Sequence, residues 1–71
     1  MNEELFYGAV KKKTDKGFGF ITPDNGGKDV FFHAHDLVNV TFADIQEGDL
    51  VVFSVKQTDR GPKAINIELN K

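Results

Sequence analysis

Apolar and polar residues alternate along most of the chain, and no stretch of ten or more residues carries a helical apolar stripe. The alternation predicts about five short strands. The first runs from about Leu5 to Lys13, with Phe6, Gly8 and Val10 on one side and Tyr7, Ala9 and Lys11 on the other. It ends in the polar turn KTDKG. The second lies in KGFGFITP, roughly Gly17 to Thr22, and Pro23 stops it because proline has no amide hydrogen to give a ladder. Asp24, Asn25, Gly26 and Gly27 tolerate positive φ, so they predict a hairpin connection to a third strand, Val30 to His33, paired back onto the second.

From Ala34 to Gly48 the pattern loosens into a long connection holding Leu37, Val40, Phe42 and Ile45, with one short helical turn expected near Asp36. Leu50 to Lys56 reads as the fourth strand, with Val51, Phe53 and Val55 on one face. TDRGP turns the chain, and Ala64 to Leu69 is the fifth, with Ile65, Ile67 and Leu69 alternating. No internal repeat, linker or low-complexity segment interrupts the series. Five antiparallel strands with one long connection after the third suit an all-β fold, a small closed barrel of the oligonucleotide/oligosaccharide-binding type, with residues 1–71 as a single domain. Closure removes the edges that a flat sheet would expose to aggregation.

The same alternation decides where the aromatic side chains point. In the second strand Ile21 has parity opposite to Phe18 and Phe20, and in the third Val30 and Phe32 oppose Phe31 and His33. Burying the β-branched Ile21 and Val30 places Phe18, Phe20, Phe31 and His33 together on the outer face. The reverse choice buries His33 without an evident partner and exposes Ile21, Val30 and Phe32. An outward cluster of three phenylalanines and an imidazole needs a purpose. Stacking of nucleobases fits best, since every base has a π-face and each stack is worth roughly 1–3 kcal/mol without demanding a sequence. Glycines at positions 17 and 19 leave the backbone open to close approach.

Composition narrows the class. At 71 residues the chain has little core to spare, and seven phenylalanines are much of its apolar stock. It has no cysteine, which excludes disulfides and thiolate zinc sites and fits the cytosol. No signal-like or membrane-length apolar stretch is present, so a soluble, unexported, free-standing protein of the cytoplasm is expected. The net charge of −2 argues mildly against a non-specific polyanion binder. Local charge argues the other way: Lys11, Lys12, Lys13 and Lys16 crowd ahead of the aromatic strand, where phosphate contact competes with simple solvation.

KGFGFITP followed by DVFFH is similar to the paired ribonucleoprotein motifs of the bacterial cold-shock proteins, and YGAVK, EGDLVVFSV and DRGPKAINI resemble that family's first strand, fourth strand and last turn and strand. The resemblance covers nearly the whole chain. It implies a five-stranded barrel binding single-stranded RNA or DNA, with Phe18, Phe20, Phe31 and His33 at the base-stacking positions. It sets Lys11, Lys16, Lys28, Arg60 and Lys63 at or beside the backbone-contacting ones, and Lys12 joins them as part of the lysine cluster. Phe42 matches an aromatic that stacks a further base, and Pro62 lies where a base is touched. Two departures stand out. Lys12, Lys13 and Thr14 replace a Trp-Phe-Asn run, with one residue fewer before Lys16, and Ala34 replaces a phenylalanine. Lost rings and added lysines imply a weaker and more salt-dependent binder than is usual in the family.

No Ser/His/Asp set, metal cluster or paired carboxylates suggest catalysis. His33 and His35 are two imidazoles without a convincing third ligand, so neither a metal nor another cofactor is expected. GFGFIT lacks the third glycine and following helix of a nucleotide loop. An RNA recognition motif is longer, has two helices and carries its aromatic motifs in the opposite order. The expected function is therefore binding of single-stranded RNA or DNA, as an RNA chaperone or cold-shock-type regulator, with no membrane or small-molecule substrate and a monomeric state. The alternative is a protein-interaction module using the same barrel face, its nucleic-acid platform weakened by the missing rings. A resemblance to the accessory domains of exoribonucleases is also noted.

Overall fold

Five strands close into a barrel: Phe6–Lys13 (β1), Phe18–Pro23 (β2), Val30–His33 (β3), Leu50–Thr58 (β4) and Gly61–Leu69 (β5), in the spatial order β1-β2-β3-β5-β4. The computed structural model describes residues 5–70. β1 pairs antiparallel with β2 and with β4, β2 with β3, and β4 with β5. The last seam, β3 with β5 at Phe31 and Lys63, is parallel. Five is an odd number, and a ring of five strands cannot close with every neighbour reversed. The closed five-stranded barrel expected from the sequence is the one observed, antiparallel at four seams, and the parallel exception falls on the shortest pairing.

Among the described residues, nine form the buried apolar core: Val10, Ile21, Val30, Phe32, Ile45, Val51, Phe53, Ala64 and Ile67. The β2–β3 hairpin follows the alternation, with Ile21 0%, Val30 6% and Phe32 0% exposed, and Phe18, Phe20, Phe31 and His33 half-buried on the other face. At Gly19 an added Cβ would run into the Lys12 carbonyl oxygen and lie 2.9 Å from the Phe32 ring, so β1, β2 and the core meet there because a side chain is missing. Ile45 is a core residue contributed by the long connection, which β1 holds through Gly48 N–H to the Val10 carbonyl at 2.7 Å and Val10 N–H to the Asp49 carbonyl at 2.9 Å. One 3-10 turn, Ala34–Asp36, follows β3 where a helical turn is expected. Among the described residues no helix is long and apolar enough to cross a membrane.

Two bulges reset the alternation. In β1, Val10 pairs with Ile21 but Lys12 pairs with Phe20, so Lys11 is an extra residue. In β5, Ile65 pairs with Ser54 while Glu68 pairs with Val52, and Asn66 between them has φ +50°. The expected face of Ile65, Ile67 and Leu69 is broken by that second bulge. Ala64 and Ile67, three residues apart, are fully buried, and Ile65 is left half-buried.

Several boundaries also move. Pro23 is the last residue of β2, paired with Gly8, rather than the residue beyond it. β4 runs on to Thr58 and β5 starts at Gly61, because the cross-strand pairs continue down to Thr58 and Gly61 and leave only Asp59 and Arg60 as the turn. Gly61 has φ +107°, a conformation that glycine adopts without strain.

Candidate nucleic-acid interface

The β2–β3 register sets Phe18 opposite His33 and Phe20 opposite Phe31. Paired and diagonal neighbours on one sheet face are within ring-contact range, and the three phenyl rings touch in every combination. Phe18 and Phe31 are 5.5 Å apart between centroids and tilted by 39°. Phe20 meets Phe31 at 6.0 Å and Phe18 at 6.4 Å, both edge to face. Such geometry holds the rings in place while leaving each partly exposed.

β1 brings lysines to this face, and the bulge decides which. Lys12, exposed, stands across from Phe20. Lys13 stands across from Gly19, on the same side of the sheet as the buried Phe32. It turns toward the long connection: its Nζ donates to the Ile45 carbonyl at 2.6 Å and lies 5.0 Å from the Phe42 ring centroid. Its amide donates to Glu47 Oε2 at 3.1 Å. Phe42 in turn packs on the core and is 6.2 Å from Phe32. Phe42 is thus set apart from the Phe18–Phe20–Phe31 cluster, in a groove of about 560 Å³ that Lys13, Thr14, Asp15, Gln46 and Glu47 complete.

Carboxylates engage two of the candidate lysines. Lys11 Nζ lies 2.9 Å from Asp29 Oδ2, and Thr22 Oγ1 donates to Asp29 Oδ1 at 2.9 Å. The hydrogen bond from Lys11, seconded by that from Thr22, holds the Asp29 carboxyl below its ordinary value. Lys63 Nζ lies 3.3 Å from Asp36 Oδ2, an oxygen that also accepts the His33 amide at 3.2 Å. Among the described residues, Lys12, Lys16, Lys28 and Arg60 have no carboxylate within ion-pair distance. Lys16 is exposed in the β1–β2 turn and Lys28 in the β2–β3 loop. Arg60 and Pro62 line a groove of about 530 Å³ with Phe31, Thr58, Asp59 and Lys63. That groove continues the aromatic face across the parallel seam.

Two side chains have roles that the sequence pattern does not signal. Lys13 is singled out in the sequence only as part of a charge run, and nothing in the spacing signals its inward turn. His35 is weighed only as a metal ligand, yet its ring lies on that of His33 at 4.7 Å and 12°. The described residues hold no group of three metal-binding side chains. Taken together the face offers π-surfaces flanked by cations, a combination that suits flat, anionic, flexible polymers.

Comparison with known proteins agrees with this arrangement. Residues 6–70 match the family model described as the 'Cold-shock' DNA-binding domain. The chain is 51% identical over 53 residues to the cold shock-like protein CspG of Escherichia coli, covering 75% of this chain and 76% of that one. It is 48% identical over 61 residues to the cold shock-like protein CspA of Vibrio cholerae, covering 84% and 87%. A solved structure titled drosophila Unr CSD456 superposes with a TM-score of 0.84 at 26% identity, covering 99% of this chain and 28% of that longer one. With a barrel, an aromatic face and a family match that spans nearly all of its length, the chain belongs to the cold-shock-domain family.

Proposed function

We propose that this protein binds single-stranded RNA or DNA by stacking unpaired bases on Phe18, Phe20, Phe31 and His33. Lys12, Lys16, Lys28 and Arg60 attract the phosphates, with Pro62 and Phe42 at the margins of the path. By competing for unpaired bases it melts weak secondary structure without ATP, as an RNA chaperone or cold-shock-type regulator. The reading takes it to act in the cytoplasm as a monomer, without a metal or other cofactor. The observation that carries it is the contact of three half-exposed phenyl rings on two paired strands beside Lys12, which has no carboxylate partner among the described residues.

Titration of Phe18→Ala and Phe31→Ala with single-stranded oligonucleotides and a duplex control tests it. Each substitution is expected to weaken single-strand binding by roughly 1–3 kcal/mol while the thermal transition persists. Unchanged binding by both variants would overturn it. A second reading, in which this face holds another polypeptide, is favoured by the two lysines already neutralised, Lys11 by Asp29 and Lys63 by Asp36. Partners that survive nuclease and do not compete with oligonucleotide are its expected signature.

A further inference from the structure

We infer that His35 forms a further nucleotide subsite past the end of β3, where a base stacks on its imidazole beyond the ring of His33, an inference that rests on the reading above. Phe31, His33 and His35 have the same parity, so the outward row of β3 would reach position 35 if the strand ran on. The strand stops at His33, and the 3-10 turn Ala34–Asp36 takes over. That turn still lays the His35 ring on the His33 ring, 4.7 Å between centroids and 12° from parallel, within ordinary aromatic stacking range. His33 stands across from Phe18, and Phe18 touches both Phe20 and Phe31. The rings therefore continue from the phenylalanine cluster through His33 to an exposed fifth ring, His35.

The turn that carries His35 is fixed on every side. The His35 amide donates to Nδ1 of His33 at 3.2 Å, so one bond sets both the rotation of the His33 ring and the place of the next one. On the β1–β2 side, the Ala34 amide donates to the Gly17 carbonyl at 2.8 Å. On the β5 side, Leu37 bridges to Ile67 and the Val38 amide donates to the Ile67 carbonyl at 2.7 Å. Asp36 Oδ2 joins the His33 amide at 3.2 Å to Lys63 Nζ at 3.3 Å. An exposed ring on so firmly tied a turn has little freedom left to lose when a base settles on it.

The neighbourhood supplies a cation as well. Lys16 adjoins Gly17, the residue that the turn hydrogen-bonds, and it has no carboxylate within ion-pair distance among the described residues. Asp15 of the same β1–β2 turn lines the Phe42 groove instead. A ring beside a free ammonium suits one more nucleotide of a single strand, its base on His35 and its phosphate toward Lys16, with no particular base demanded. A simpler role would have His35 only cover His33. The two roles differ in their reach: a cover acts on every ligand that touches His33, whereas an added subsite acts only on a strand long enough to arrive there.

Fluorescence titration with labelled oligothymidines, lengthened one nucleotide at a time at constant salt, reads this difference. Wild-type affinity is expected to climb in steps as nucleotides are added. His35→Ala is expected to bind long strands roughly fivefold more weakly and to lose one step of the ladder, the low end of what a base–aromatic stack supplies. His35→Phe, which keeps a ring at the position, is expected to restore that step. A His35→Ala ladder with every wild-type step, whether affinity falls equally at all lengths or not at all, overturns the inference and leaves stacking on the β2–β3 rings intact. A lost step that His35→Phe does not restore overturns it too, while a wild type that binds no length overturns the stacking reading itself.

Discussion

Lys12 stands directly across the β1–β2 ladder from Phe20, and it does so because Lys11 is an extra residue in β1. Without that bulge the ladder would turn the neighbouring side chain to the outer face. The sequence resemblance implies that relatives carry a stacking tryptophan here, so the resemblance sets a point charge in the place of a ring. Lys12→Gln is expected to reduce the slope of log affinity against log salt by about 0.7, the share of one phosphate contact on a single strand. Lys12→Trp is expected to strengthen binding by roughly 1–3 kcal/mol and to flatten the same slope. A salt series with oligothymidine checks both, and equal slopes for all three proteins would remove Lys12 from the interface.

Lys13 behaves as a structural residue despite its charge. Its ammonium joins the Ile45 carbonyl at 2.6 Å and the Phe42 ring, tying β1 to the connection that delivers Ile45 to the core. Lys13→Ala is expected to lower stability by about 1–2 kcal/mol, through the lost charged hydrogen bond and the lost cation–π contact. Urea denaturation measures the loss, and the salt slope of binding is expected to stay at its wild-type value. Such a split between stability and salt dependence is opposite to that of Lys12.

Asp29 sets part of the acid limit of the fold. Hydrogen bonds from Lys11 and Thr22 lower its folded-state pKa below the ordinary 3.8. A group with a depressed folded pKa contributes stability above the unfolded value, and that contribution is lost as pH falls through the folded one. The thermal midpoint of the wild type is therefore expected to decline more steeply below 3.8 than that of Asp29→Asn. The same substitution releases Lys11 and removes a negative charge beside the aromatic face, so, on the proposed function, single-strand affinity at neutral pH is expected to increase. Parallel melting curves and titrations at several pH values test the two effects together.

Strand identity and the inward phase of the β2–β3 hairpin were legible in the sequence because the hairpin has no bulge. Ile21, Val30 and Phe32 could only go one way once the β-branched pair was buried, and Phe18, Phe20, Phe31 and His33 followed by parity. Ile65 was not legible. Its side depends on a bulge at Asn66, which arises from how β4 and β5 share register within the closed barrel and not from local alternation. The roles of Lys13, Phe42 and Ile45 were hidden for a related reason: a long connection has no period, so its docking onto β1 is a tertiary fact. Five strands did announce themselves, but only their odd number, set against closure, forces the parallel seam of β3 and β5.

Ser54 offers a test on the far side of that register change. It pairs with Ile65 beside the β5 bulge and is only 3% exposed, and its hydroxyl has no hydrogen-bond partner among the described residues. In the unfolded chain water satisfies the group; in the fold its hydrogen bond is forfeited, at a cost of about 1–3 kcal/mol. Ser54→Ala removes the polar atom with little change of volume, so stability is expected to rise by about 1 kcal/mol after the lost packing of one oxygen. Ser54→Val adds carbon at a position only 3% exposed and is expected to destabilise by overpacking. Neither change touches the aromatic cluster, so oligonucleotide affinity is expected to hold in both variants. Chemical denaturation of the pair decides it: a destabilised alanine variant would mean that the hydroxyl is satisfied in solution and that the β5 bulge is held partly through it.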